Sequence, residues 1–212
     1  KYGKLGVFIP LNDLIEQHAP NIRKALEENP RLKQGITAPD GNIYALPGLD
    51  GCSHCMYPAK LWINQDWLKK LNLDLPTTTE EFENVLLAFK NNDPNGNGQT
   101  DEIPLSGYIE EWTEWGNPVY FLMNAFIYTD PTHYLRVENK KVDLVADNPE
   151  WRQGLAYIQG LYAKGLIDPQ TFTQNMNAIQ QLAMNPGDII LGTYANLWNG
   201  DVVTIYGEAE DQ

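Results

Sequence analysis

The sequence predicts an α/β fold in which helices dominate over short, dispersed strands. Several segments carry apolar residues at the three- and four-residue spacing of amphipathic helices, and shorter segments alternate between apolar and polar residues. The chain of 212 residues is 42% hydrophobic, which is sufficient for the core of one large domain or two small ones. This combination favours layered helices and strands over a sandwich or a barrel.

The first helices and the first strand are predicted near the N-terminus. Two short amphipathic helices are expected over roughly residues 11–18 and 21–28, separated by Pro20 and closed by Pro30. The segment GNIYALP, residues 41–47, then alternates as a strand does, between Asp-Gly and Pro-Gly turn signals.

Two helices with N-terminal caps are predicted next. In NQDWLKKLNL, Asn64 precedes apolar residues at helical spacing and is suited to cap the helix. In TTTEEFENVLLAFKNN, Thr78 and Glu81 have the three-residue spacing of a capping box. The apolar stripe of this second helix is predicted to consist of Phe82, Val85, Leu86 and Phe89.

The second half of the chain also predicts helices that alternate with short strands. NPVYFLMNAFIY predicts a buried helix, and KKVDLVA predicts a strand or hairpin. A long helix is expected to begin at Asn148-Pro149, to end at Gly165 and Pro169, and to present one apolar face. That face consists of Trp151, Leu155, Ile158 and Tyr162. A helix over roughly residues 174–184 and strands in DIILGTYA and VVTIYG complete the prediction.

The charge of the chain excludes two classes of partner. Fifteen Lys and Arg residues against 28 Asp and Glu residues give a net charge of -13, which repels nucleic acid and anionic lipid surfaces. No apolar run is long enough for a membrane span. The chain opens at Lys1 without a methionine, and we expect it to be a piece of a longer protein.

The two cysteines form one Cys-x-x-Cys motif, Cys52 and Cys55, with His54 between them. A redox pair, a disulfide and part of a metal site are all compatible with this spacing. A redox motif of the thioredoxin kind opens a helix after a strand, whereas Met-Tyr-Pro follows here. A small disulfide or two free thiols are therefore favoured.

The segment NNDPNGNGQTDEIPLSG predicts a calcium-binding loop. Asp93, Asn95 and Asn97 are spaced as the first three side-chain ligands of an EF-hand-type loop, and Gly98 follows where the sharp turn is needed. The carbonyl of Gln99 and the side chain of Asp101 fall at further ligand positions. The last position holds Pro104, so we expect Glu102 to replace the usual bidentate glutamate. The alternative is a turn rich in Asn and Gly without an ion.

Aromatic and polar residues crowd three loops, DGCSHCMY, YIEEWTEWGNPVY and TYANLWNGD. A sugar ring stacks its apolar face on an indole, and its hydroxyl groups need Asp, Asn or Glu partners. Trp112, Trp115 and Trp198 lie in these loops, outside the apolar stripes. The clustering predicts a carbohydrate site, although any single tryptophan could instead belong to the core.

A hydrolase is an alternative interpretation of the same region. Glu110, Glu111 and Glu114 could supply the acid and the base of a glycosidase, which needs two carboxylates around the scissile bond. Acidic residues are common in this chain, and three close together in a loop are more often solvated. A calcium-dependent interaction module is a third alternative.

The order of several motifs resembles the extracellular solute-binding proteins of family 1. The motifs are GNIYALP, DPNGNGxxDEIPL, FLMNAFIY and NPEWRxGLxYIxxLYxxGLIDPxTF, and the resemblance runs from Gly6 to Tyr206. The most similar branch comprises lipoprotein-type binders of Gram-positive bacteria that serve ABC transporters for oligosaccharides. The resemblance implies a helix-rich, type II periplasmic-binding-protein-like fold, of which this chain is an internal fragment holding mostly one lobe.

That resemblance also implies a function. We expect a non-catalytic, extracellular binding subunit that holds an oligosaccharide in an interlobe cleft and works with ABC permease subunits, anchored through a lipid outside this fragment. Residues 1–48 would belong to the first lobe and crossover, and residues 49–212 to the second-lobe core. A structural Ca²⁺ would be held by the loop ligands Asp93, Asn95, Asn97, Gln99, Asp101 and Glu102. The expected ligand-binding residues are Asp50, Tyr57, Trp112, Trp115, Asn196 and Trp198.

Overall fold

The fold is described from a computed structural model, which covers residues 2–46, 48, 52, 57, 60–110, 114–128, 133–184 and 187–203. Contacts within the chain divide it into two units, Lys1–Cys52 and Ser53–Gln212. The assignment of residues 1–48 to one lobe and 49–212 to another remains a prediction. Each unit is described by itself.

The first unit consists of helices around a small core. A 3₁₀ turn at Gly3–Leu5 precedes α1 (Asn12–His18), α2 (Pro20–Glu28) and α3 (Pro30–Ile36). Pro20 and Pro30 each occupy the first turn of a helix, where a missing N–H does no harm. The buried residues Ile15, Leu26 and Ile43 pack together. Helix α3 was not expected, because Pro30 ends one helix and also begins the next.

The strand predicted for GNIYALP is wrong over the part that the structure describes. Only Ile43 pairs, in a single antiparallel bridge with Thr37. The intervening residues form a tight turn, in which the Gly41 N–H donates to the Ala38 carbonyl at 2.8 Å. Gly41 has a φ of 83°, so the chain reverses before a ladder can extend.

The second unit contains the remaining helices and all four strands of the described residues. They are β1 (Leu61–Ile63), α4 (Gln65–Lys70), α5 (Thr79–Asn91), α6 (Pro118–Met123), β2 (Leu135–Glu138), β3 (Lys141–Leu144), α7 (Pro149–Ala163), α8 (Met176–Ala183) and β4 (Thr193–Ala195). Within the described ranges, no helix is long and apolar enough to cross a membrane.

The predicted helix caps are present. The Asn64 side chain accepts the Trp67 N–H at 3.1 Å at the start of α4. Thr78 and Glu81 form the reciprocal capping box of α5. The predicted apolar stripe of α5, Phe82, Val85, Leu86 and Phe89, is buried. Phe89 also meets the Trp67 ring edge to face, with centroids 5.1 Å apart.

The predicted face of α7 is partly wrong. Ile158 is buried, but Leu155 and Tyr162 are each 44% exposed. The buried side of the helix instead runs through Gly154, Ile158 and Leu161. At Gly154 a Cβ atom would lie 2.5 Å from the Met123 sulfur, so this glycine allows α6 to approach closely. Because Gly154 lies in the contact between α6 and α7, the buried face of α7 differs from the face that the large apolar residues predict.

A set of extended segments lies at the centre of this unit. Strand β1 pairs with β4 in antiparallel register, with Ile63 opposite Thr193. On the other side, residues 103–106 run parallel to residues 191–194, with bridges Ile103 to Leu191 and Ser106 to Tyr194. DIILGTYA is thus a strand at its C-terminal end, as predicted. The predicted strand VVTIYG is not formed at Val202 and Val203, and its remaining residues lie outside the described ranges.

Candidate calcium loop and ligand-binding loops

Asp93 fixes the start of the candidate calcium loop. It lies two residues after the end of α5 and has a φ of 47°, in the left-handed region that Asp tolerates better than most residues. Its Oδ1 accepts the N–H groups of Gly96 at 2.9 Å and Asn97 at 3.1 Å, and its Oδ2 accepts the Gly98 N–H at 2.9 Å. The carboxylate therefore lies inside the turn, with the chain wrapped around it.

The two asparagines continue this arrangement. Asn95 Oδ1 accepts the Asn97 N–H at 3.0 Å, and Asn97 Oδ1 accepts the Gln99 N–H at 2.8 Å. The amide nitrogens of Asn95 and Asn97 each donate to Asp101, at 3.2 Å and 3.1 Å. The side chains predicted as ligands thus converge on one another, and Gln99 follows them in the same turn.

Glu102 is the most unusual member of the loop. Both of its carboxylate oxygens are buried and accept no hydrogen bond. Burial raises the pKa of Glu102, and the charges of Asp101 and Asp93 raise it further. An ionised carboxylate in this environment needs a compensating cation, because an unpaired buried charge is costly. The chemistry of the loop therefore fits Ca²⁺, which prefers carboxylate and carbonyl oxygens.

A calcium ion here would depend on neutral oxygens as well as carboxylates. Among the described residues, His, Cys, Asp and Glu side chains alone form no group of three or more that could hold a metal ion. Calcium accepts asparagine and backbone carbonyl oxygens alongside carboxylates, whereas zinc selects nitrogen and sulfur ligands. The donor set of this loop therefore suits calcium and does not suit zinc.

Asn196 is the centre of a second cluster, where β4 ends. The residue is fully buried, and its Oδ1 accepts the Tyr108 hydroxyl at 3.1 Å and the Leu197 N–H at 2.9 Å. Its Nδ2 donates to the Trp198 carbonyl at 3.0 Å and lies 3.4 Å from Asp201 Oδ2. These contacts use both acceptor and both donor positions of the amide. Asn196 was predicted to bind ligand, but in this arrangement it holds the loop in place.

Trp198 is displayed by that loop. Its side chain is 47% exposed, in contrast to the buried Trp67. The loop is held by the Lys60 ammonium on the Leu197 carbonyl at 2.8 Å and by the Trp62 indole N–H on the Asn196 carbonyl at 3.1 Å. A Cβ atom on Gly200 would lie 2.7 Å from the Trp198 indole, so only glycine leaves room beneath it. The result is an exposed indole on a fixed backbone.

The structure gives less information about the other four predicted ligand-binding residues. Tyr57 is 71% exposed, and Trp115 is partly buried. Asp50 and Trp112 lie outside the described residues. Of the four residues that the structure describes, Asn196 and Trp198 lie together in the loop after β4, and a common site for all six stays a prediction. Tyr108, which anchors Asn196, was missed because nothing in its local sequence distinguishes it from a core tyrosine.

The glutamates considered for hydrolysis have structural contacts. Glu110 Oε1 accepts the Met176 N–H at 3.0 Å, at the start of α8. Glu114 Oε2 accepts an Asn117 amide hydrogen at 3.1 Å, next to the cap of α6. Glu111 lies outside the described residues. Glu110 and Glu114 thus serve two helix starts.

Cys52 is disulfide-bonded. Of the states considered from the sequence, this agrees with a disulfide and excludes a free thiol at this position. Cys55 and His54 lie outside the described residues.

Comparison with known proteins identifies homologues along most of the chain. No protein-family model matches it. The fructooligosaccharide ABC transporter substrate-binding protein FusA of Streptococcus pneumoniae is 43% identical over 184 residues, or 84% of this chain. The lipoprotein LipO of Bacillus subtilis is 35% identical over half of it. The chain spans about a third of the length of FusA, at 34%, and 20% of LipO.

Solved structures have the same fold over nearly the whole chain. FusA in complex with kestose superposes with a TM-score of 0.72 and 39% identity, covering 94% of this chain and 40% of FusA. An EF-hand mutant of FusA, in complex with fructo-nystose, superposes with a TM-score of 0.73. An HMO-binding, ABC-transporter-associated solute-binding protein of Bifidobacterium longum infantis gives 0.77 at 30% identity, covering 92% and 41% of the two chains. The helix-rich architecture is therefore that of part of a type II solute-binding protein.

Proposed function

Since this chain is homologous to extracellular substrate-binding proteins of ABC transporters, we propose that it is part of an oligosaccharide-binding subunit of such a transporter. The subunit binds its ligand in a cleft between lobes and performs no chemistry on it. The similarity to FusA, at 43% identity, is the observation that carries this proposal. Lobe closure around the sugar is the conformational change that permease subunits would detect.

The loop at the end of β4 has the properties of a sugar platform. Trp198 presents an exposed indole, and its backbone is fixed through Asn196 and Tyr108. A rigid aromatic surface binds the apolar face of a sugar at little conformational cost. We assign Trp198 to ligand stacking and Asn196 to positioning. Direct contacts from Tyr57 and Trp115, and from Asp50 and Trp112, are part of the same proposal.

The loop from Asp93 to Glu102 would hold a structural calcium ion. The side chains of Asp93, Asn95, Asn97, Asp101 and Glu102 and the carbonyl of Gln99 would be its ligands. The ion supplies positive charge that compensates the acidic side chains of the loop. Two observations support this: the buried, unpartnered carboxylate of Glu102, and the similarity to FusA, for which an EF-hand mutant has been solved.

The position of the loop suggests what the ion stabilises. Ile103 follows Glu102 directly, donates its N–H to the Ile190 carbonyl at 2.7 Å and accepts the Gly192 N–H at 2.9 Å. The chain then continues through Ser106 to Tyr108. A calcium clamp at Glu102 would therefore fix one strand of the pair that supports the sugar platform. In this proposal the ion has a structural role and does not act as a signal.

The cellular location follows from the same homology. We propose an extracellular protein, tethered to the membrane by a lipid anchor as the lipoprotein LipO is named to be. The hydrolase alternative has less support, because the carboxylates of Glu110 and Glu114 are hydrogen-bonded at two helix starts.

Sugar binding is tested by titrating the full-length protein with kestose, nystose and a human-milk oligosaccharide while recording tryptophan fluorescence. We expect saturable binding of at least one sugar, weakened roughly 10-fold or more by Trp198→Ala, as for an aromatic hot spot. Tyr128→Ala is the control, since Tyr128 is 68% exposed and belongs to a different loop. Equal effects of the two substitutions would overturn the role of Trp198, and absence of binding to every sugar would overturn the function.

A further inference from the structure

Asp188 contacts the candidate calcium loop from a distant part of the chain. Its Oδ2 lies 3.1 Å from Asn97 Nδ2, although the two residues are 91 positions apart. The Asp188 side chain is exposed and has no place in the EF-hand-type pattern. It lies just before Ile190 and Gly192, the residues that pair with Ile103.

The contact bears on the orientation of a predicted ligand. An asparagine can bind calcium only through Oδ1, because Nδ2 carries hydrogens and no free lone pair. Asn97 Nδ2 has acceptors in two directions, Asp101 Oδ2 at 3.1 Å and Asp188 Oδ2 at 3.1 Å. Oδ1 meanwhile accepts the Gln99 N–H within the turn. A reversed amide would place its oxygen against both carboxylates, so Asp188 favours the orientation that keeps Oδ1 in the loop.

We propose that Asp188 is a positioning residue for the calcium loop, acting through Asn97. The proposal depends on the calcium site proposed above. Two contacts connect the loop to the segment that continues into β4. Asp188 belongs to that segment and accepts from Asn97 in the loop. Ile103, which follows the loop, is hydrogen-bonded to Ile190 and Gly192 of the same segment. Calcium binding and the pairing of residues 103–106 with 190–194 therefore stabilise each other.

The test is the calcium affinity of the full-length protein and of the Asp188→Ala variant, measured by competition with a chromophoric chelator. Partners that orient metal ligands typically change affinity by about 10–100-fold when they are removed, and we expect a loss in this range. Asp74→Ala is the matched control, because Asp74 is exposed and lies outside the loop, and the change in net charge is the same. It separates the local contact from the general effect of charge.

A second variant and a second readout make the test specific. Asp188→Asn keeps an acceptor oxygen, and we expect it to recover most of the affinity. A merely structural role of Asp188 would lower the melting temperature in EDTA and leave the calcium affinity unchanged. In the parent protein we also expect calcium to slow hydrogen exchange of the Gly192 N–H, which donates to Ile103.

The outcomes separate the two proposals. If the unsubstituted protein binds no calcium, the proposed calcium site is wrong. If that protein binds calcium and Asp188→Ala has the same affinity as Asp74→Ala, the calcium site stands and the role of Asp188 is overturned. If Asp188→Ala does not fold, the same comparison is made with Asp188→Leu and Asp74→Leu, which also remove the acceptor oxygens; a loss of affinity confined to Asp188→Leu supports the proposal, and equal affinities overturn it.

Discussion

Replacing Glu102 with glutamine removes a charge from the candidate calcium loop and keeps the size of the side chain. In the described structure both Glu102 oxygens are buried without a hydrogen-bond partner, near the charges of Asp101 and Asp93. Without calcium, the ionised carboxylate destabilises the fold. With calcium, the proposed site would make the same carboxylate a ligand of the ion. Glu102→Gln should therefore change stability in opposite directions in EDTA and in calcium.

The magnitude follows from the environment of the side chain. Leaving a buried polar group without a partner costs roughly 1–3 kcal/mol, and more for a charged group. Since the amide of glutamine is also polar, we expect it to recover only about 1 kcal/mol of this in EDTA, or roughly 2–4 °C in Tm for a protein of this size class. Extracellular calcium modules bind with Kd near 10⁻⁴ M, so 10 mM calcium is about 100 times Kd and stabilises by ~2.7 kcal/mol. That corresponds to a rise of roughly 5–11 °C in Tm.

The variant should lose most of this calcium effect. If the affinity falls about 100-fold, 10 mM calcium contributes only ~0.4 kcal/mol. The assay is thermal unfolding at pH 7.5, with and without 10 mM calcium, of the parent protein, Glu102→Gln and the control Glu150→Gln. Glu150 is an exposed residue in the first turn of α7. Glu102 is not a calcium ligand if calcium raises the Tm of Glu102→Gln as much as that of the parent protein, or if the substitution lowers the Tm equally in both conditions.

Three further substitutions test the supporting structure. Tyr108→Phe removes the hydroxyl that donates to Asn196, so we expect a loss of about 1 kcal/mol in urea unfolding and weaker sugar binding in the fluorescence titration. Gly116→Ala would place a Cβ atom 2.1 Å from the Tyr108 ring, and the resulting overpacking should cost about 1–3 kcal/mol by the same unfolding measurement; an unchanged midpoint would contradict the packing. Thr78→Ala removes the α5 cap shared with Glu81 and should lower stability by ~1 kcal/mol without changing the sugar affinity.

The local features of the fold were predictable from the sequence. The cap at Asn64 and the capping box of Thr78 and Glu81 depend on residues three positions apart, and all are present. The side chains of the candidate calcium loop also follow one another along the chain, and they converge in the structure; their role as ligands stays a prediction. The predictions were wrong where a residue has a role that its type does not usually indicate. Pro30 both ends α2 and begins α3, and Gly154 in α7 is a contact residue that apolar patterns overlook.

The support of the ligand-binding loop could not be predicted in this way. Tyr108 and Asn196 are 88 positions apart, and the pairing of residues 103–106 with residues 191–194 brings them together. The sequence suggested Asn196 as a ligand contact by its residue type. Its burial and its hydrogen bonds, which favour a positioning role, are properties of the folded chain. The contact of Asp188 with Asn97, 91 positions away, is likewise a property of the folded chain.

The central claim is that the protein binds an oligosaccharide and leaves it intact. The most direct measurement is equilibrium dialysis of the full-length protein against kestose, nystose and a human-milk oligosaccharide, followed by mass spectrometry of the recovered sugar. We predict retention of at least one of them at a stoichiometry of about one per protein molecule, as expected for a single cleft, with the sugar recovered at its original length after prolonged incubation. Recovery of shortened sugar, or retention of none of the three, would contradict the account.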